Sequence, residues 1–359
     1  MTRQTLCTLS TANLLHNLAV IKTRAPRARI MAMVKANAYG HGLRSVAQRL
    51  EGHVDALGVA SIDEATALRQ AGVNTPITLI EGVFAPEELA LAATQGFAVV
   101  FHSAHQLRWL EATHLPGKIT AWLKLDTGLG RLGFSPQDAA QALQTLSENP
   151  SIRQPVGLLS HFACADTPQH PLNKKQIAIF AAFAEQCQGP KSFCNSAALF
   201  AFPDRQQDWV RPGLALYGAS PLAGRSAEEL GLKPVMTFQT EIIAVQHFKR
   251  GDTVGYGAKF ICPEDMPTGI IAAGYGDGYP RSLREGAPVL IGDRLCPLIG
   301  RVAMDMTAVD LRLCAQAAVG DKVTLWGKGL PIEKLTDFCD HIAYDLLTGV
   351  QNRVKFVWE

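Results

Sequence analysis

The sequence predicts an α/β chain in two parts: a (β/α)8 TIM-type barrel over residues 8–224, followed by a mostly β C-terminal domain over residues 225–359. Residues 1–7 are expected to pack with the second part. Three observations carry this expectation. Eight short apolar runs alternate with helical patterns as far as residue 213. Continuous apolar runs suit strands buried on both faces, and helices between them imply parallel order. From about residue 222 glycine and proline, rather than long helices, punctuate the strands. The length of 359 residues exceeds one small core.

The elements follow in order. "TANLLHNLAVIKTRA" reads as an opening helix. The eight runs are "IMAMV" from 30, "DALGVA" from 55, "ITLI" from 77, "AVVF" from 98, "ITAWLKL" from 119, "VGLLSH" from 156, "SFCN" from 192 and "WVRPG" from 209. Between them, "IDEATALRQAG" and "PEELALAATQG" space apolar residues three and four apart and end on glycine. Eight such units match a barrel at the small end of its size range. The later runs "PVMTFQTEIIAVQHF", "TGIIAAGYG", "APVLIGDRLCPLI" and "KVTLWG" read as strands. A short helix at "AYDLLTGV" and the run "RVKFVW" close the chain.

Composition narrows the function. Hydrophobic residues make up 47% and charged residues 18%, as in a well-buried enzyme, and the formal net charge is only +2. No run of like charges offers the clustered basic face that nucleic acid needs. No stretch approaches the roughly 20 apolar residues of a membrane span, and the N-terminus lacks a signal peptide's apolar segment. The eight cysteines show no CxxC pair. Scattered thiols of this kind suit reduced core residues of a cytoplasmic protein, not zinc ligands or disulfides.

In a barrel, function gathers at the carboxyl ends of the strands. Lys35 follows the first run, Lys124 and Asp126 end the fifth, and His161 ends the sixth. Asn195 and Ser196 follow the seventh, and Arg211 lies on the eighth. Lys35 leaves a run of five apolar residues straight into the barrel mouth. Desolvation and nearby cations make such an amine a nucleophile towards aldehydes. It therefore points to a Schiff base, with either a carbonyl substrate or pyridoxal phosphate. "NSAALF" and "RPGLALYG" lie where barrels hold phosphate, although "NSAA" also reads as an ordinary helix cap. All six tyrosines lie in glycine-rich or motif-like contexts, and Tyr256 sits between two glycines in "GYGAKF".

Taken together, "VKANAYGHG", "LKLDTGLGRLGF", "SHFACAD", "NSAALF", "RPGLALYGASP", "GYGAKF", "AAGYGDGYPR" and "IGRVAMDM" resemble the alanine racemase family, in the family's order and over nearly the whole chain. The resemblance implies a pyridoxal 5'-phosphate enzyme interconverting L-alanine and D-alanine by a two-base mechanism through an external aldimine. Carried over by motif, Lys35 holds the cofactor and serves as the base for the D-enantiomer, and Tyr256 serves the L-enantiomer. Tyr39, Tyr344, Ser196 and the backbone amides near Gly213 and Leu214 hold the phosphate. Arg211 faces the pyridine nitrogen, and His161 links it to the catalytic tyrosine. Arg131 and the Met304 amide hold the substrate carboxylate, and Lys124 matches a lysine that many members carbamylate. The family's head-to-tail homodimer implies composite sites, with Tyr256 entering the partner's barrel. One departure is visible: Ser192 stands where some members have a histidine, and if that histidine supports the pyridine-facing arginine there, Arg211 must be braced differently here.

Two rival readings are weaker. A barrel-type pyridoxal decarboxylase would be expected to place a carboxylate against the pyridine nitrogen and a cysteine near the substrate. A cofactor-binding protein without turnover would lack the β domain and its "GYGAKF".

Overall fold

The computed structural model describes residues 3–359 of the chain. It divides into two compact units. One comprises Leu18–Leu216 and Pro221–Arg225; the other comprises the residues up to Asn17, Tyr217–Ser220 and Ser226–Glu359.

The first unit is a closed barrel. The first strand of the chain, β1 (Leu6–Leu9), belongs to the other unit. The barrel is built of β2 (Arg29–Met33), β3 (Ala56–Val59), β4 (Ile77–Leu79), β5 (Ala98–Phe101), β6 (Ile119–Lys124), β7 (Ile152–Leu159), β8 (Lys191–Asn195) and β9 (Trp209–Arg211). All are parallel, each pairs with its neighbour in sequence, and β9 closes onto β2. The eight expected runs coincide with these eight strands.

The reason is visible in the burial pattern. β3 and β4 are buried at every position, so an alternating polar face would leave unpaired groups in the core. Several of the intervening helices start where the sequence offers caps. Ser61 accepts the Glu64 amide at the head of Ile62–Gln70. Ser135 accepts that of Asp138 at the head of Pro136–Glu148, where a first-turn proline sacrifices no needed N–H. Outside β7 and β8, Phe193 stacks on Phe162 at 3.9 Å and on Phe180 at 4.5 Å. Such contacts add about 0.5–1.5 kcal/mol each beyond burial. Because every strand runs the same way, all eight carboxyl ends open on one mouth.

The second unit is mostly β. After β10 (Met236–Phe248) come β11 (Thr253–Val254), β12 (Phe260–Ile261), β13 (Met266–Ile271), β14 (Pro288–Ile291), β15 (Arg294–Ile299), β16 (Thr307–Asp310), β17 (Lys322–Trp326) and β18 (Lys355–Trp358). The sheet order is β13-β16-β15-β14-β17-β10-β1-β18. β10 pairs with β1 and β17 along its first half and with β13 along its second, with a register shift between Ile242 and Ala244. That irregularity bends the strand and lets one end of the sheet return onto its middle. Trp326 anchors the core, edge-on to Phe238 at 4.7 Å and stacked on Tyr279 at 6.4 Å. β1 joins the two chain ends, antiparallel to β10 and parallel to β18. β11 and β12 form a separate two-stranded hairpin.

Among the described residues no helix is long and apolar enough to cross a membrane, and no cluster of His, Cys, Asp and Glu could hold a metal ion. The cysteines are free thiols, most of them buried.

Candidate active site

The segment after β2 takes an unusual backbone. Ala36, Asn37, Ala38 and Tyr39 all sit in the left-handed helical region, at φ of 53°, 54°, 53° and 53°. Outside glycine this costs about 1–2 kcal/mol per residue, so the turn persists only where its surroundings fix it. Several hydrogen bonds do so. Glu64 accepts the Ala36 amide at 2.7 Å and the Ala60 amide at 2.8 Å. Asn37 Oδ1 accepts the Leu43 amide at 2.8 Å. His41 Nδ1 lies 3.1 Å from the Ala38 carbonyl and 2.8 Å from that of Tyr39. Two carbonyls can only accept, so Nδ1 carries the proton. Burial pushes the His41 pKa down to about 4, which keeps the ring neutral. Gly40 then ends the turn at φ 80°, a conformation glycine adopts without cost.

This turn presents Lys35 and Tyr39. Lys35 Nζ pairs with Glu81 Oε1 at 2.9 Å, both side chains about one-third exposed. Glu81 follows β4 and was not among the residues expected in the site. The signal was present in "ITLIEG", a carboxylate placed like Lys35 at the end of an apolar run. Its loop is well fixed: His102 Nε2 lies 3.1 Å from the Glu81 carbonyl, and Gln106 donates to that of Val83 at 3.0 Å.

Arg211, at the end of β9, is buried. It donates to Ser192 Oγ at 2.6 Å, to the Ser160 carbonyl at 2.6 Å and towards His161 Nδ1 at 3.3 Å. Ser192 in turn donates to the Trp209 carbonyl at 3.0 Å. The brace required by the missing histidine is thus a serine hydroxyl and a backbone carbonyl. Among the described residues Arg211 touches no carboxylate, and burial lowers its pKa to about 10, so it stays a cation at neutral pH. Because arginine only donates, this contact needs an unprotonated Nδ1 on His161. Asn195 Nδ2, 3.4 Å from Nε2, is also a donor, so the two neighbours compete for the one acceptor of a neutral ring. Burial first, then Arg211, Lys124, Arg131 and Lys35, hold His161 well below the ordinary histidine pKa.

Ser196 Oγ accepts the amides of Gly213 at 2.8 Å and Ala215 at 3.3 Å. The Tyr39 hydroxyl packs over the same backbone: a Cβ at Gly213 would come within 2.3 Å of it. Leu214 is buried between them in sequence. Hydroxyls and amides therefore converge after β8 and β9, where a larger residue at 213 would not fit.

Lys124 ends β6 and is buried. Burial, then the charges of Arg211 and Arg131, bring its pKa down to about 8, with Glu81 opposing. Asp126 is no part of this cluster in chemical terms. Its carboxylate accepts the amides of Gly128, Leu129 and Gly130 and shapes the loop that carries the exposed Arg131.

The remaining expected residues lie in the β unit. Tyr256 sits on the β11–β12 hairpin between Gly255 and Gly257, both at φ 77°, and is 70% exposed. Met304 is 53% exposed on the loop between β15 and β16, and Tyr344 lies half-exposed on the helix Ala343–Thr348.

With this geometry in hand, the comparisons are consistent along the whole chain. The alanine racemase N-terminal domain family matches residues 9–221, and the C-terminal domain family matches residues 235–358. The alanine racemase of Coxiella burnetii (strain RSA 493 / Nine Mile phase I) is 44% identical over 98% of this chain and 97% of its own. That of Vibrio vulnificus (strain CMCP6) is 45% identical over 95% of each. The crystal structure of the biosynthetic alanine racemase from Pseudomonas aeruginosa is 40% identical, with a TM-score of 0.97 over 100% of both chains. Another, from a D-cycloserine-producing Streptomyces lavendulae, is 30% identical with a TM-score of 0.89 over 100% of this chain and 98% of that one. The chain belongs to the alanine racemase family of isomerases.

Proposed function

We propose that the chain interconverts L-alanine and D-alanine by a two-base reaction on pyridoxal phosphate held at the barrel mouth. The observation that carries this reading is the buried Arg211, a permanent cation with no carboxylate partner, at the same barrel mouth as the amine of Lys35. A decarboxylase-type site would be expected to put a carboxylate where Arg211 stands.

The residues fit the cofactor. Ser196, the amides of Gly213 and Leu214, Tyr39 and Tyr344 would hold its phosphate, Lys35 its aldehyde carbon and Arg211 its ring nitrogen. When bound, pyridoxal phosphate supplies a conjugated ring that takes up the electron pair left as the α-proton departs. Arg211 keeps its own proton and would disfavour one on the ring nitrogen facing it, which would restrain side reactions. Lys35 Nζ removes or returns the α-proton on one face, and Tyr256 Oη does so on the other. His161, held neutral, would link Arg211 to the tyrosine oxygen. Arg131 and the Met304 amide hold the substrate carboxylate.

Lys124 is suited to carbamylation. With its pKa near 8 a useful fraction is free amine at neutral pH. The free amine adds carbon dioxide, forming an N–C bond and losing one proton; counted from the ammonium two protons leave, and a buried cation becomes an anion that would brace Arg131. Tyr256 is exposed on its hairpin, which supports a homodimer in which it completes the partner's site. Reduced thiols without disulfides support a cytoplasmic setting.

Borohydride reduction of the protein loaded with pyridoxal phosphate, followed by peptide mapping, tests the assignment. The reading predicts loss of the visible chromophore and a label on Lys35, with optical rotation of L-alanine decaying to zero before reduction. A label on Lys124, or none, contradicts it.

A further inference from the structure

The loop that carries Met304 is held by a charged network that the proposed reaction does not use. Asp277, fully buried, accepts Arg3 Nη1 at 2.5 Å and Nη2 at 2.5 Å, Arg353 Nε at 2.8 Å and the Gly274 amide at 2.9 Å. From that anchor Arg353 extends Nη2 to Asp305 Oδ1 at 2.6 Å and towards the Met304 carbonyl at 3.5 Å. Arg3 Nη2 also reaches the Asp305 carbonyl at 3.0 Å. Burial alone would raise the Asp277 pKa, but the two guanidinium groups and the Gly274 amide overcome it and hold the group ionised.

Both peptide planes around Met304 are pinned. The Tyr275 amide donates to the Ala303 carbonyl at 3.0 Å, and the Gly276 amide to the Met304 carbonyl at 2.8 Å. Gly274 and Gly276 permit this approach, since a Cβ on either would lie 2.5 Å and 2.9 Å from the Met304 oxygen. In a planar trans peptide the N–H points opposite to the C=O. With the Ala303 carbonyl turned towards Tyr275, the Met304 N–H is directed away from Tyr275, and it makes no hydrogen bond among the described residues.

We infer that Arg353, anchored on buried Asp277 and reaching Asp305, is a positioning residue that aims the Met304 N–H at the substrate carboxylate. The inference rests on the reading that this amide binds that carboxylate. An amide aimed in advance loses no orientation entropy when the substrate arrives, and a hydrogen bond to a charged group is among the stronger ones. Arg353 is suited to the task because a guanidinium holds two carboxylates at a fixed angle, whereas an ammonium cannot.

The test uses the cofactor-saturated enzyme and the variants Arg353→Gln, Asp305→Asn and the double variant. KM and kcat for L-alanine are measured together with competitive inhibition by propionate, a carboxylate without an amine. Arg353→Gln should raise the alanine KM and the propionate inhibition constant in parallel, by about ten-fold, with kcat within about two-fold. Asp305→Asn should act in the same direction, and the double variant should be no worse than Arg353→Gln, since the two groups act as one unit. If Arg353→Gln does not fold, the exposed Asp305→Asn carries the test. Unchanged propionate inhibition in a folded variant, or a fall in kcat at constant KM, overturns the inference. If propionate fails to compete in the unaltered enzyme, the carboxylate-binding reading itself fails and takes the inference with it.

Discussion

Two short segments each present one proposed base, and they are built in opposite ways. The turn that presents Lys35 holds four non-glycine residues in the left-handed region and spends the side chains of Glu64, Asn37 and His41 on keeping them there. The hairpin that presents Tyr256 relies on two glycines and two-residue strands, and it leaves the ring in solvent. The contrast teaches where each base gets its position. Lys35 is held within its own barrel, whereas Tyr256 stands in solvent on its hairpin, as the proposed composite site requires.

The largest effect separates the two bases chemically. Tyr256→Phe should lower racemisation by about 10²–10⁴-fold, the range a positioned acid–base group supplies. Solvent-deuterium exchange at the α-carbon should survive better with D-alanine than with L-alanine, because Lys35 still serves its own face. Equal loss for both enantiomers would erase the distinction between the segments.

A smaller effect probes the bracing. Asn37→Ala removes the hydrogen bond to the Leu43 amide and puts a less tolerant residue at positive φ, a loss of about 1–2 kcal/mol. The melting temperature should fall, and cofactor affinity should fall about ten-fold. Gly257→Ala meets no atom closer than 3.8 Å, but its φ of 77° strains a side chain by about 1 kcal/mol. It should slow turnover while leaving cofactor affinity intact, measured by titration of the visible absorbance. The reverse pattern would mean that the segments have been assigned the wrong way round.

The last effect is in pH. His41 is held neutral, with a folded-state pKa near 4 against 6.5 when exposed. Between these values the unfolded chain binds more protons, so stability falls as pH drops from about 6.5 to 4 and this contribution is constant outside that window. The loss should approach about 3 kcal/mol. His41→Asn keeps a donor at the same place and removes the titration, so urea midpoints measured across that window should fall less steeply. Parallel curves for the two proteins would show that His41 does not titrate on unfolding.

Much of this was legible in the sequence. Most barrel strands were written as continuous apolar runs, because burial on both faces leaves little room for alternation; β8 and β9 are shorter and carry polar residues. Lys35 and Arg211 stood out because charge at the end of such a run has nowhere to go but the mouth. Other features depend on contacts that local patterns do not encode. "ANAY" has the composition of an ordinary helix, and only Glu64, Asn37 and His41 make it left-handed. "LCTL" at β1 is too short to announce a strand, and it exists through pairing with β10 and β18 over two hundred residues away. The sequence showed that Arg211 lacked a histidine, but not that Ser192 and the Ser160 carbonyl replace it. Glu81 was readable by the same logic as Lys35.

The central claim is that one site takes Lys35 from one chain and Tyr256 from the other, and mixed dimers test it most directly. Lys35→Ala and Tyr256→Phe homodimers should each be nearly inactive. In a mixed dimer one site receives both sound residues and the other receives both defects. Co-refolding equal amounts with free exchange makes about half the dimers mixed, so L-to-D conversion should return to roughly a quarter of the unaltered enzyme's rate. If mixed dimers form and activity stays at the level of the parents, Tyr256 does not act across the interface.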